Sequence, residues 1–156
     1  MDIHILTVGR RATRKQLAAQ QLIADYCDRI DHYSGIHTEA FLTEAKLLAA
    51  VERHRGRSQP VLVLLDSRGR SLSTEEFTGW LRDTRDRGAQ QIIFAVGPAD
   101  GWSRAVYDGA ARQQAGMLLS LGPMTLPHEL AAVVLVEQIY RAFTIIEGHP
   151  YHLGHR

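Results

Sequence analysis

The sequence predicts an α/β fold with a mostly parallel sheet flanked by helices. Short β-branched or aliphatic runs alternate along the chain with segments of helical periodicity, which is typical of such sheets. Two of these runs, Val61–Leu65 and Ile92–Val96, are continuously apolar, as expected of strands buried on both faces. The chain has 156 residues, 45% hydrophobic and 22% charged, which predicts a single domain over residues 1–156.

The first half of the chain contains two predicted strands, each followed by a helix. Ile3–Val8 is the first strand, and apolar residues then recur at helical spacing over residues 15–30. His37–Leu42 alternates weakly and is predicted as the second strand. Thr43–Arg55 returns to helical spacing and ends in basic residues, which the helix dipole favours.

The second half continues the alternation with stronger signals. The two continuous apolar runs are the third and fourth strands. Between them, Ser73-Thr-Glu-Glu76 is a capping box that opens a helix through Arg87, which Gly88 stops. A polar helix then spans about Ser103–Gln114, and Met117–Ser120 is the last strand.

The chain ends with a stiff loop and a long apolar helix. The loop Leu121-Gly-Pro-Met-Thr-Leu-Pro-His128 contains two prolines, so it is neither a regular strand nor a helix. The helix is predicted over Glu129–Gly148, with Thr125 or Leu126 as its cap and Pro127 in its first turn. A loop that presents backbone amides and carbonyls beside a helix start suits a bound ligand.

Three glycine- or proline-rich segments are predicted at the carboxyl ends of strands, where parallel sheets bind ligands. They are Leu65–Gly69, Val96–Gly101 and Leu121–Leu126. Glycine allows a ligand to approach the backbone closely. The segments are therefore either ordinary strand-to-helix turns or the walls of one shared site.

Composition excludes several classes of protein. The net charge of +1 does not suit a polycation that binds nucleic acid through its overall charge. The single cysteine, Cys27, cannot form an intramolecular disulfide and fits a reducing cytoplasm. The N-terminus lacks a signal-peptide pattern and no apolar run is long enough to span a membrane, so we expect a cytoplasmic protein with no membrane contact.

Motifs for common cofactors and metals are missing from the sequence. There is no dinucleotide fingerprint, Walker loop or nucleophile elbow. His149, His152 and His155 are evenly spaced in the tail, but no fourth ligand accompanies them, and we expect no metal. Asp66 and Asp100 follow strands and are either acid–base groups or side chains that stabilise turns.

Other polar and aromatic residues of the C-terminal region could contact a substrate. His128, in the first turn of the last helix, could donate a hydrogen bond to a substrate oxygen or simply pack. Arg141 lies in an otherwise apolar helix face and needs an anionic partner, either a structural carboxylate or a phosphate. Tyr140, Phe143 and Tyr151 could stack on a base, although core packing explains the first two more simply.

The C-terminal motifs resemble one known family. Met124-Thr-Leu-Pro-His128, Glu137-Gln-Ile-Tyr-Arg-Ala-Phe143 and His149-Pro-Tyr-His152 are similar to the small bacterial SPOUT methyltransferases that act on N3 of pseudouridine in large-subunit ribosomal RNA, the RlmH family. The resemblance covers essentially the whole chain through three further segments: Ile5–Gly9, Val63–Asp66 and Val96–Gly101.

The resemblance implies a SPOUT-type α/β knot, with a deep trefoil in the C-terminal part of the chain. It also implies a homodimer in which the tail of one subunit completes the site of the other, and ribosomal RNA in the large subunit or whole ribosome as substrate. S-adenosyl-L-methionine is the implied cofactor, bound chiefly by backbone groups. By motif match its positions are Leu65, Gly97, Leu121, Gly122, Pro123, Met124, Thr125 and Leu126.

On the substrate side, the resemblance leads to a hypothesis for four catalytic residues. His128 and Arg141 face the substrate, while Tyr151 and His152 close over the base. Because N3 lies on the pairing edge, the target nucleotide must be flipped out or exposed in a loop. Two other functions stay open: a related knotted methyltransferase acting on transfer RNA, and a non-catalytic dimeric RNA-binding module on the same scaffold.

Three features depart from the family pattern. Pro98 stands where the family often has glycine, which removes one amide donor. Ala132 stands where homologues often carry arginine, which weakens any RNA contact there. The chain also continues past His152 through Leu153–Arg156.

Overall fold

A parallel five-stranded sheet forms the centre of the computed structural model, which describes residues 1–9, 17–56, 58–112 and 116–155, except the side chains of residues 110–112, 154 and 155. The strands are β1 (Asp2–Val8), β2 (Gly35–Phe41), β3 (Val61–Ser71), β4 (Gln91–Val96) and β5 (Gly116–Ser120). They are hydrogen-bonded in the order β2-β1-β4-β3-β5, and all four pairings are parallel. The predicted α/β class is confirmed.

Helices connect the strands and follow the last one. They are α1 (Leu17–Ile30), α2 (Glu44–Arg53), α3 (Thr74–Asp86), α4 (Arg104–Arg112) and α5 (His128–Ile146). A 3-10 helix over Pro150–His155 follows α5. Each predicted element is present, although the predicted start of α1 at residue 15 and the predicted end of α4 at residue 114 lie outside the described residues.

Local capping explains where two of the helices begin. The Thr43 hydroxyl accepts a hydrogen bond from the Lys46 amide and caps α2. At α3 the predicted capping box is confirmed, because Ser73 and Glu76 each bind the other's backbone amide. Gly88, with a φ of 87°, follows the C-cap of α3 and ends it in a conformation that suits glycine.

Hydrophobic residues cover both faces of the sheet. Alternate residues of β1, β3 and β4 pack against α1, α3 and α5 on one face, and the core there includes Ile5, Phe94, Leu135 and Phe143. The intervening residues pack against α2 and Trp102 on the other face. This arrangement confirms that the two continuous apolar runs are central strands, whereas β2, the weakest predicted strand, is a largely exposed edge.

The third strand is longer than predicted. Leu65–Gly69 is predicted to leave the sheet as a turn, but β3 continues to Ser71. Its pairing with β5 shifts register between Leu65 and Arg70, so the residues between them bulge out of the ladder. The Asp66 carboxylate closes this bulge by accepting the Arg68 amide at 2.8 Å. Asp66 therefore stabilises its local backbone, as one of its two interpretations predicted, although in a bulge of β3 rather than in a turn.

Candidate functional site

A cavity of about 390 Å³ opens beyond the carboxyl ends of β4 and β5, beside the bulge of β3. All three predicted rim segments line it, and its volume is in the range of small-molecule sites. Of the eight positions expected to bind the cofactor, seven line the cavity and Pro123 does not. The structure therefore brings into one cavity segments that are more than 50 residues apart in the chain.

The β3 and β4 sides of the cavity are joined by Trp102. Its indole Nε1 donates a buried hydrogen bond of 2.8 Å to the Leu65 carbonyl. The indole ring also packs on Gly97, where an added Cβ would lie 2.8 Å from a ring carbon. No motif identified Trp102 in the sequence; its position directly after the glycine turn is the only local signal.

The turn after β4 is closed within its own backbone. The Gly101 amide donates to the Pro98 carbonyl at 2.9 Å, and Gly101 has a φ of 89°. The Ser103 amide then donates to the Glu44 carboxylate at 2.8 Å, which ties the turn to α2. Pro98 thus accepts the hydrogen bond that closes the turn, although it has no amide of its own.

The loop after β5 is shaped by Ser120 and Gly122. The Ser120 hydroxyl lies 3.1 Å from the Gly122 carbonyl and 3.2 Å from its amide, so it can donate to one and accept from the other. The prediction that Thr125 or Leu126 caps the last helix is wrong. Pro127 is the N-cap and offers no side-chain acceptor, which leaves the first-turn amides of α5 without a capping side chain.

His128 is the first residue of α5 and lines the cavity. Its Nε2 lies 3.3 Å from a Glu129 carboxylate oxygen. The same edge of the imidazole packs on Gly9, where an added Cβ would lie 2.8 Å from Nε2. Gly9 directly follows β1, so this contact brings a further part of the chain to the site. Gly9 was not predicted as a site residue.

Arg141 binds a structural carboxylate, one of the two partners that the sequence predicted. Its Nε and Nη2 donate to Glu137 Oε1 at 3.0 and 2.6 Å, and this hydrogen bonding raises the pKa of the guanidinium. The side chains of Arg141 and Glu137 are 17% and 19% exposed. The pair is therefore largely shielded from water.

The tail packs on this ion pair through Tyr151. The Tyr151 hydroxyl donates to Glu137 Oε1 at 3.2 Å, and the Arg141 guanidinium carbon lies 5.0 Å from the centre of the Tyr151 ring. Burial, together with the hydrogen bond to Tyr26, raises the pKa of the Tyr151 phenol. Tyr140 and Phe143 are core residues, as their simpler interpretation predicted.

The four predicted catalytic residues lie in two places within one chain. His128 lines the cavity, whereas Arg141, Tyr151 and His152 do not. His128 and Arg141 are thirteen positions apart on α5, which corresponds to about 20 Å along the helix axis. The buried His152 Nδ1 has no hydrogen-bond partner among the described residues.

Other predictions concern metal and membrane contact and Ala132. Within the described part of the chain, no group of three or more His, Cys, Asp or Glu residues could hold a metal ion, and the His155 side chain lies outside that part. No described helix is both long and apolar enough to cross a membrane. Ala132 is 2% exposed and packs in the core, so it offers no surface for RNA.

The fold and cavity define a class of protein: a parallel α/β protein with a cavity at the edge of the sheet where such proteins bind their ligands. Within that class, the chain belongs to the SPOUT methyltransferase family. A family model described as "Predicted SPOUT methyltransferase" matches residues 1–152. The family resemblance predicted from the sequence motifs is confirmed, and the chain is a methyltransferase of this class.

Curated relatives carry a more specific name. A protein of Koribacter versatilis named "Ribosomal RNA large subunit methyltransferase H" is 43% identical over 155 residues, which cover 99% of this chain and 100% of that protein. A protein of the same name from Allorhizobium ampelinum is 34% identical over 166 aligned positions, covering 97% and 99% of the two chains. Another from Bartonella tribocorum is 36% identical with the same coverage.

Proposed function

We propose that this chain methylates N3 of a pseudouridine in large-subunit (23S) ribosomal RNA, using S-adenosyl-L-methionine, on the assembled ribosome in the cytoplasm. The observation that carries the proposal is the cavity at the strand ends. It joins seven of the eight positions implied for the cofactor to His128, the first residue implied for the substrate. The shared name of the full-length relatives supports the RNA substrate.

The lining of the cavity fits the proposed cofactor. Leu65, Leu119, Leu121 and Leu126 offer apolar surface for a purine ring. Gly97 and Gly122 leave the backbone accessible between them, and the first turn of α5 has amides without a capping side chain. When bound there, S-adenosylmethionine supplies a methyl group that its sulfonium has already activated, so no covalent enzyme intermediate is needed.

The residues of this chain then have to orient the base and allow the proton on N3 to leave. N3 of the base must approach the methyl group in line, with its proton removed or displaced. His128 is placed at the cavity wall, and its contact with Glu129 orients the ring. We assign it to the base edge that carries N3, where a hydrogen bond stabilises the negative charge that develops on the flanking carbonyl oxygens.

We propose further that the site is composite. Glu137 of α5 holds Arg141 and the tail residue Tyr151 together, but neither these two residues nor His152 line the cavity of their own chain. In the proposed homodimer, the tail of one subunit lies at the cavity of the other. Met124 (81% exposed) and Leu130 (47% exposed) offer apolar surface for such a contact beside the cavity. The trefoil path and the single domain over residues 1–156 are part of the same proposal.

A methylation assay with purified components tests this function. The wild-type chain is incubated with S-adenosylmethionine labelled in the methyl group and with whole ribosomes, free large subunits or bulk transfer RNA. We expect label in the 23S RNA of whole ribosomes and none with the His128→Ala variant. Label in transfer RNA would contradict the proposal and indicate a related methyltransferase that acts on transfer RNA. If no RNA is labelled and a separate titration detects no cofactor binding, the chain would instead be a non-catalytic RNA-binding module.

A further inference from the structure

The edge of the cofactor cavity lies where the backbone ladder between two strands stops. Leu65 pairs with Val96 in the last rung between β3 and β4, and Gly97 lies just beyond it. From this point onward, hydrogen bonds between the two strands no longer hold their ends at a fixed separation. The two walls of the cavity therefore need another connection.

Trp102 supplies that connection. Its indole N–H donates to the Leu65 carbonyl at 2.8 Å, and its ring packs on Gly97. The side chain is 6% exposed, and it packs among the core residues on the α2 face of the sheet. One rigid ring thus contacts both backbone segments at the point where the pairing of β3 with β4 ends.

The position of the ring is itself fixed by its neighbours in the chain. Before Trp102, the Gly101 amide closes the turn onto the Pro98 carbonyl. After it, the Ser103 amide is held by Glu44 of α2. These two hydrogen bonds hold the backbone on either side of Trp102, while the bond to Leu65 and the packing on Gly97 hold the ring itself.

We propose that Trp102 is a positioning residue of the cofactor site: it sets the separation of the β3 and β4 walls and fixes the direction of the Leu65 carbonyl. This inference rests on the proposed function, which supplies the ligand. Trp102→Phe keeps a ring in place but leaves the buried carbonyl without its donor, so the wall is free to shift. Gly97→Ala disturbs the same contact from the other side, because its new methyl group would overlap the indole.

Calorimetric binding of S-adenosylhomocysteine, with steady-state methylation of ribosomes, tests the inference. We expect Trp102→Phe and Gly97→Ala to bind about tenfold more weakly than wild type. The KM for S-adenosylmethionine should rise by the same factor, while the KM for ribosomes and kcat at saturating cofactor stay within about twofold. Two controls should match wild type: Trp80→Phe, and Gly109→Ala, whose Cβ would meet nothing within 4 Å.

Fluorescence provides an independent readout, because Trp80 and Trp102 are the only tryptophans. In the Trp80→Phe variant, titration with S-adenosylhomocysteine should change the emission with the calorimetric Kd. Wild-type affinity in both folded site variants would overturn the role of Trp102. So would a fall in kcat accompanied by a rise in the KM of both substrates. Failure of the wild-type chain to bind would instead overturn the proposed function.

Discussion

His128 begins α5, lines the cavity, and contacts Gly9 at the end of β1. The Glu129 carboxylate contacts Nε2 of the imidazole, and Gly9 limits the space around the same atom. The orientation of this ring is therefore set by a glycine more than 100 positions away in the sequence.

Gly9→Ala tests this contact at the scale of one residue. The new Cβ would lie 2.8 Å from His128 Nε2, and the imidazole can rotate away without moving the backbone. We expect little change in thermal stability but a fall in the methylation rate of at least about tenfold, since small displacements of catalytic groups have large effects.

Single-turnover methylation and thermal unfolding measure the two properties separately. Gly56→Ala is the matched control, because its Cβ would meet nothing within 4 Å. A wild-type rate in Gly9→Ala would mean that the orientation of His128 does not matter for catalysis.

At the scale of elements, the most reliable sequence signals were those set by residues close together in the chain. The capping box at Ser73 and the alternation of apolar runs with helical spacing predicted the elements and their order. The extension of β3 was not predictable, because Asp66–Arg70 is polar and the extension is held by the pairing of Arg70 and Ser71 with β5. The role of Trp102 was hidden for a similar reason: its partner, Leu65, is 37 residues away.

The bulge of β3 leads to a stability prediction. Gly69 packs so closely on β5 that an added Cβ would lie 2.6 Å from the Leu118 carbonyl carbon, which is backbone and cannot rotate away. We expect Gly69→Ala to lower the free energy of unfolding by about 1–3 kcal/mol in urea denaturation. Gly79→Ala, in α3, would place its Cβ 4.0 Å from the end of the flexible Arg82 side chain, an ordinary contact, and should be neutral or stabilising. Equal stability of the two variants would show that β3 and β5 separate easily at the bulge.

The packing of β1 against β2 and α2 should make stability depend on pH. The His4 ring lies 5.1 Å from the His37 ring of β2 and 4.3 Å from the His54 ring at the C-cap of α2. Burial, followed by repulsion from these two histidines, lowers the pKa of His4 below 6.5, although Asp2 opposes the shift. The folded state thus binds fewer protons than the unfolded state below pH 6.5, and stability falls as the pH drops through that window.

Thermal unfolding from about pH 7 to about pH 5 measures this effect. We expect the melting temperature of His4→Gln to change less with pH over this range than that of wild type. His32→Gln, an exposed histidine in the turn before β2, is the control and should follow wild type. Identical pH profiles for wild type and His4→Gln would contradict the assignment.

At the scale of the whole molecule, the separation of the site residues matters most. The sequence motifs identified all four residues, and the structure shows that His128 lines the cavity whereas Arg141, Tyr151 and His152 do not. Helix geometry alone separates His128 from Arg141 by about 20 Å along the predicted helix. The contact of Tyr151 with Glu137 depends on how the tail folds back on α5, which no local pattern in the sequence determines. The proposed homodimer reconciles the motifs with this geometry.

Mixed dimers test that arrangement. His128→Ala and Arg141→Ala should each be inactive alone. After unfolding and refolding as an equal mixture, half of the dimers combine the two variants and hold one intact composite site each, so about a quarter of wild-type activity should return. Sedimentation should show dimers throughout. No recovery of activity in refolded dimers would place the complete site within one chain.

The most direct test of the proposed methylation is nucleoside mass mapping of ribosomal RNA from a strain that lacks this gene. We predict that N3-methylpseudouridine disappears from 23S RNA, leaving pseudouridine at that position. Expression of the wild-type chain should restore the methyl group, and expression of His128→Ala should not. An unchanged 23S RNA, or a methyl group lost from transfer RNA instead, would contradict the proposed function.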